Sequence, residues 1–109
     1  MPVRNFTIPV PDEMTRNHVI ERMTYRLKTD LKTDFGDNMG DCTYAWNLNK
    51  GRMDFLAMGK PVATHITLVE SDASRVLSFT IATNQEMGIY MDQIHDRVKD
   101  RAIAALLQN

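Results

Sequence analysis

Apolar and polar residues alternate along most of the stretch from Thr43 to Glu70. Alternation of this kind predicts β-strands with one buried face, because successive strand side chains point to opposite sides of a sheet. The pattern is broken at Asn49-Lys50-Gly51 and at Gly59-Lys60-Pro61, which have the composition of turns, and Gly51 suits a positive φ. A third turn, at residues 70–74, leads into a last strand. Turns at such short intervals favour an antiparallel meander.

The larger apolar side chains of the meander share one parity in each strand. The face that we expect to be buried consists of Met53, Phe55, Ala57, Val62, Thr64, Ile66, Leu68, Leu77, Phe79 and Ile81. A separate strand is predicted over Val3–Val10, with Phe6, Ile8 and Val10 on its buried face. Pro9 has no N–H to donate, so this strand is expected to lie at a sheet edge or to end there.

Two amphipathic helices complete the pattern. The first is predicted from about Asp12 to Asp34, and Gly36 is placed to close it with a positive φ. Its apolar stripe consists of Val19, Ile20, Met23, Leu27, Leu31 and Phe35. The second is predicted to begin with a capping box from Thr83 to Glu86 and to run to about Leu107. Its stripe consists of Met87, Met91, Ile94, Val98, Ala102, Ala105 and Leu106.

The predicted element order is βαββββα, which indicates an α+β fold. We expect a two-layer sandwich: an antiparallel meander of four to five strands with two amphipathic helices on one face. At 109 residues the chain fits a single domain, residues 1–109. The other sheet face is then wet, covered by dimerisation, or curled around a ligand.

Composition and charge exclude several classes of function. Apolar residues make up 43% of the chain and charged residues 25%, and the net charge is −1, so no general field attracts nucleic acid. No apolar run is long enough for a transmembrane segment. The lone cysteine, Cys42, rules out an intramolecular disulfide. We therefore expect a cytoplasmic protein without nucleic-acid partners.

No spacing in the sequence forces catalytic groups together. His18, His65 and His95 fall on three different predicted elements, although His95 could pair locally with Asp92. The acidic stretch of Asp30, Asp34, Asp37, Asn38 and Asp41 does not match the calcium-loop pattern. Cys42 is a candidate nucleophile only if a base approaches it, and we expect a buried, inert thiol. We therefore expect no catalytic residue, no metal and no cofactor, and a protein that is not an enzyme.

Apolar side chains remain in surplus on the faces opposite the predicted core. They are Leu56, Met58, Val69, Val76, Ile89, Tyr90, Ile103 and Leu107. Such a surplus has three explanations: a wider core, a self-association surface that makes a homo-oligomer, or a cavity for an apolar ligand. In the last case the pocket lies between a curved sheet and the C-terminal helix, in a carrier or an enzyme. The ligand-binding candidates are Tyr44, Trp46, His65 and Tyr90.

A set of positions in the meander resembles the small bacterial family of polyhydroxyalkanoic acid system, or granule-region, proteins. These positions are Trp46, the turn glycine Gly51, the Met53-Asp54-Phe55 step and Gly59. The resemblance implies a non-enzymatic protein that associates with the surface of storage-polymer granules. It carries over no catalytic residue. Our interpretation of the sequence is therefore a small, self-associating binding module.

Overall fold

The computed structural model describes residues 2–36, 43–57, 59–71 and 74–107. Its helices and strands follow one another in the predicted order. The strands are β1 (Val3–Pro9), β2 (Thr43–Asn47), β3 (Lys50–Ala57), β4 (Lys60–Glu70) and β5 (Arg75–Thr83). The helical elements are α1 (Arg16–Glu21), a π-helical segment (Arg22–Leu27), α2 (Lys28–Phe35), a 3₁₀ segment (Gln85–Tyr90) and α3 (Met91–Leu107).

The strands form one antiparallel sheet in the order β1-β5-β4-β3-β2. Strands β2 to β5 make the predicted meander, and β1 pairs with β5, with Phe6 opposite Phe79. The rings of these two residues stack with centroids 4.6 Å apart. Strand β1 lies at a sheet edge and ends at Pro9, as the missing proline N–H predicts.

The core lies between one sheet face, called here the inner face, and the helices. Every inward position predicted in β3, β4 and β5 is buried, and so is the predicted stripe of α3. Met23, Met53, Met87 and Met91 are at most 3% exposed, in keeping with methionine as a filler of irregular gaps. The predicted α+β fold, in which two amphipathic helices pack their apolar stripes on one face of an antiparallel sheet, is confirmed.

The first long helix changes its pitch along its length. Its buried residues Val19, Met23, Leu27 and Leu31 are spaced by four throughout. At 3.6 residues per turn this spacing rotates a stripe steadily around the helix. The π-helical segment holds more residues per turn, so it rotates the stripe back. All four side chains therefore face the same core.

The same helix begins later than predicted, because its start was expected near Asp12. Residues 11–14 form a turn instead, in which the Met14 N–H donates to the Pro11 carbonyl at 3.1 Å. The Arg75 guanidinium binds the carbonyls of Pro11, Asp12 and Met14. Thr15 then caps α1, and its hydroxyl accepts from the His18 N–H at 3.2 Å.

The structure corrects the predicted start of the second helix and confirms the predicted end of the first. The cap of the second helix is Asn84 and not Thr83, since the Asn84 side chain accepts from the Met87 N–H at 3.2 Å. The Thr83 hydroxyl is turned inward and donates to the Pro61 carbonyl at 2.8 Å. Gly36 closes α2 with φ +67°, as predicted; its ψ of −156° is open essentially to glycine alone.

The β2–β3 turn consists of Leu48 and Asn49, and not of the predicted Asn49-Lys50-Gly51. Leu48, and not Gly51, takes the positive φ, at +55°. Gly51 lies within β3 opposite Trp46. A Cβ atom on Gly51 would stand 2.6 Å from Cε2 of the Trp46 ring. The glycine is therefore required by the close approach of an indole and not by the turn.

Candidate functional site

The helices cover only the inner face, so the opposite face of the sheet, called here the outer face, is open among the described residues. Outward positions carry side chains such as Arg52, Leu56, Ala63, His65 and Ala82, most of them half-buried or exposed. Leu56 and Val69 point outward, as the sequence predicted; Val69 is 45% exposed.

A concave groove crosses this face at the end where β4 begins and β5 ends. It encloses about 470 Å³, and its outward apolar side chains are Leu56, Pro61, Ala63 and Ala82. These four are close because Leu56 pairs with Pro61 and Ala63 pairs with Ala82 across adjacent strands. We call this depression the outer groove.

An ion pair lies in the lining of the outer groove. The Arg52 Nε donates to both Asp54 carboxylate oxygens, at 3.1 and 2.9 Å. The groove therefore combines an apolar floor with a few polar groups, which is the usual composition of a ligand site.

A second, smaller depression adjoins the groove at Arg52 and is called here the basic depression. It encloses about 260 Å³ and is lined by Ala45, Trp46, Asn47, Lys50, Gly51, Arg52 and His65. Ala45, Arg52 and His65 face one another across three strands. The lining includes two permanent cations and no carboxylate.

Two of the four predicted ligand-binding residues are brought together. Trp46 and His65 both line the basic depression, although the register directs their side chains to opposite faces. Trp46 pairs with the buried Gly51 and packs partly on the core, whereas His65 pairs with the exposed Arg52. Tyr90 packs on the core from the end of the 3₁₀ segment, and the Tyr44 side chain lies outside the described residues.

The three histidines lie apart. The His18 Nε2 accepts from the Arg22 Nε at 3.1 Å, and His65 is on the outer face. His95 contacts the Phe6 ring edge-on and places its Nδ1 3.0 Å from an Asp96 oxygen. The prediction of a local pair between His95 and Asp92 is wrong, because Asp92 binds Arg4 at 2.5 Å.

The sequence offered an acidic stretch as a possible metal loop. In its described part, Asp34 instead joins the first helix to α3. The Asp34 carboxylate accepts from Arg101 Nε at 2.7 Å and from its terminal nitrogen at 2.6 Å. This bidentate bond lowers the pKa of Asp34 against the opposing effect of burial. Asp37, Asn38, Asp41 and Cys42 lie outside the described residues. Within the part that is described, no acidic, histidine or cysteine side chains cluster as metal ligands.

One polar atom of the described core has no hydrogen-bond partner. The Thr64 side chain is fully buried on the inner face, opposite Met53 and Ile81, and its hydroxyl is unpaired. Leaving a buried hydroxyl unpaired costs about 1–3 kcal/mol. Thr64 therefore places an unpaired polar group in a largely apolar interior.

The hairpin beside the basic depression is fastened to α1 by a contact that the sequence did not reveal. Arg16 Nε donates to the Asn49 side-chain oxygen at 2.7 Å, and a terminal nitrogen of Arg16 donates to the Leu48 carbonyl.

The sequence analysis also missed Arg52 and the floor of the outer groove as a site. Alternation along the strands places these residues on the same outward face of the sheet, but it does not predict that this face is concave.

No family model matches the sequence, and no curated protein matches it. Solved structures do match in fold. A protein from Nitrosospira multiformis aligns at a TM-score of 0.55 and 9% identity, over 98% of this chain and 97% of its own. A protein from Chromobacterium violaceum aligns at 0.51 and 10% identity, with full coverage of both chains. An aromatase/cyclase from a Streptomyces species aligns at 0.43 and 11%, over 97% and 91%.

These matches correct one prediction. The shared arrangement is helix-grip-like, with a long C-terminal helix over an antiparallel sheet. Neither the Nitrosospira protein nor the Chromobacterium protein is described as a granule protein, and no family model matches the sequence. The resemblance to polyhydroxyalkanoic acid system proteins is therefore wrong; it rested on Trp46, Gly51 and similar positions that serve packing and turns. No described helix has the length and apolar character that crossing a bilayer requires.

Proposed function

We propose that the protein is a small, non-catalytic binding module whose ligand site is the outer groove. The observation that carries this proposal is the concavity itself, about 470 Å³ with an apolar floor, on a sheet face that the helices leave open. Typical small-molecule sites enclose roughly 300–1,000 Å³ and combine apolar walls with a few polar groups. The Arg52–Asp54 pair supplies such polar groups here.

The absence of a catalytic role is part of the same proposal. Acid–base and nucleophilic catalysis need a base within hydrogen-bond reach of the group that it activates. Among the described residues, His18 contacts an arginine, and His95 contacts an aspartate and a phenylalanine ring. None of these contacts joins a histidine to a serine, threonine or cysteine.

The test is a pair of matched charge substitutions on the outer face. Leu56→Asp places a carboxylate on the groove floor, and Val69→Asp places one on the same face beyond the groove. We expect binding of a fluorescent apolar probe to fall in the first variant and to stay at the wild-type level in the second. Circular dichroism checks that both variants are folded. Equal binding by wild type and Leu56→Asp would contradict the proposal.

A second candidate is a carrier of an apolar ligand between the sheet and α3. The unpaired Thr64 hydroxyl favours it, because a ligand with one polar atom would satisfy that group. The described interior is otherwise filled by side chains, so the ligand would have to displace some of them. Native mass spectrometry of the protein purified without denaturation should then retain a small molecule, and Thr64→Val should lose it.

Self-association and a cytoplasmic location stay predictions. Ile89 and Leu107, both in the predicted surplus, are 81% and 58% exposed, whereas Tyr90 and Ile103 pack on the core. Exposed apolar side chains support an interface between copies. Light scattering should then give the mass of a dimer; the mass of one chain at every concentration would rule the interface out.

A further inference from the structure

The outer groove and the basic depression are two parts of one surface feature. Arg52 lines both of them. On one side of Arg52 lies the apolar floor formed by Leu56, Pro61, Ala63 and Ala82. On the other side Lys50 lies two residues away on the same strand face, and His65 is the cross-strand neighbour of Arg52. An apolar region thus adjoins a cationic one.

Arg52 keeps hydrogen-bonding capacity for a ligand. Within the described ranges, its hydrogen bonds are those from Nε to both oxygens of Asp54. Its two terminal nitrogens bind no other described residue, and its side chain is 58% exposed. The guanidinium is a planar fork whose paired N–H groups match the two oxygens of a carboxylate.

The charges around the feature favour an anion at one end only. Asp54 lies in the lining of the groove and pairs with the Nε side of Arg52, so the charges of these two residues offset each other and Lys50 supplies the net positive charge. The lining of the basic depression holds Lys50, Arg52 and His65 without a carboxylate. A negative group is therefore attracted to the basic depression and away from the Asp54 side.

We propose that the site takes a small amphipathic anion, such as a free medium-chain carboxylic acid. The carboxylate binds the terminal nitrogens of Arg52 in the basic depression, and the apolar body lies along Leu56, Pro61, Ala63 and Ala82. This assignment rests on the proposed function, because it uses the outer groove, and it adds the class of ligand.

The experiment compares octanoate with octanol by chemical-shift titration of the wild-type protein. A charge-assisted hydrogen bond should make octanoate bind roughly tenfold more tightly than octanol. Arg52→Gln should remove that advantage, so that octanoate and octanol bind this variant with similar affinity. The matched control is Arg4→Gln, since Arg4 is also a half-exposed arginine in an ion pair, with Asp92. It should bind both compounds like the wild type.

Each outcome decides a different part of the proposal. Equal binding of octanoate and octanol, unaffected by Arg52→Gln, would overturn the anionic ligand and leave the groove as an apolar site. Two results would overturn the groove as well: no binding of either compound to the wild type, or binding to Leu56→Asp with the same shift changes as in the wild type. A third arm uses vesicles that contain phosphatidylglycerol. Sedimentation with these vesicles, without binding of free octanoate, would assign the surface to a membrane and refute the free ligand.

Discussion

Gly51→Ala is the substitution for which the structure gives the most direct prediction. A Cβ at this position would stand 2.6 Å from Trp46 Cε2 and 2.8 Å from Cδ2 and Cζ2. Ordinary carbon contacts are about 3.5–4.0 Å, so the indole must move by roughly one ångström. Trp46 packs partly on the core, and the shift would disturb that packing.

The magnitude is the difference between two opposing effects. Overpacking typically costs about 1–3 kcal/mol. Replacing a strand glycine by alanine returns about 0.5–1 kcal/mol, because alanine has less conformational freedom to lose. We expect Gly51→Ala to lower the free energy of unfolding by about 1 kcal/mol in the wild-type background.

A double-mutant cycle isolates the contact with the indole. In a Trp46→Leu background the ring is gone, so Gly51→Ala should be neutral or stabilising by about 0.5 kcal/mol. Urea unfolding followed by circular dichroism measures all four proteins. Because Trp46 is the single tryptophan, its emission reports the displaced ring directly in the two proteins that retain it. A coupling energy below about 0.5 kcal/mol, with unchanged emission, would refute the close approach.

Three further predictions concern Thr64, Asp34 and Leu48. Thr64→Val should raise the free energy of unfolding by about 1 kcal/mol in urea, because it removes an unpaired buried hydroxyl; a loss of stability would show that the hydroxyl has a partner. Asp34 has a lowered folded-state pKa, so its stabilising effect is present above its ordinary value of 3.8 and is lost as the pH falls through the folded-state value. Wild type should therefore exceed Asp34→Asn in stability at neutral pH, and the gap should close in acid; a gap independent of pH would contradict the ion pair with Arg101. Leu48→Gly should stabilise the protein by about 0.5 kcal/mol relative to Leu48→Ala, because φ is +55°; equal melting curves would argue against strain there.

The sequence predicted the layers of the fold because each layer depends on a short period. Alternation along β3, β4 and β5 assigned Phe55, Ile66 and Phe79 to the buried face, and all three are buried. The boundaries were less predictable because distant residues fix them. Arg75 holds the carbonyls of residues 11–14 in a turn and delays the start of α1, and no local pattern contains that information.

The candidate site was predicted only in part for a related reason. Parity placed Leu56 and Ala63 on the outward faces of their strands, but the groove exists because cross-strand register places them beside Pro61 and Ala82. The role of Gly51 was mistaken because glycine next to a turn is usually a turn residue. Its actual role depends on an indole in the neighbouring strand.

The pairing of β1 with β5 bears on how the polypeptide acquires its shape during synthesis. Val3 leaves the ribosome before any residue of the meander, yet its partner in the sheet is Ala82. The meander from β2 to β5 needs only neighbouring hairpins, so it is able to assemble while the N-terminal strand still has no place to dock. Contacts so distant in sequence slow folding, and completion of the sheet at β1 is expected to be a late event.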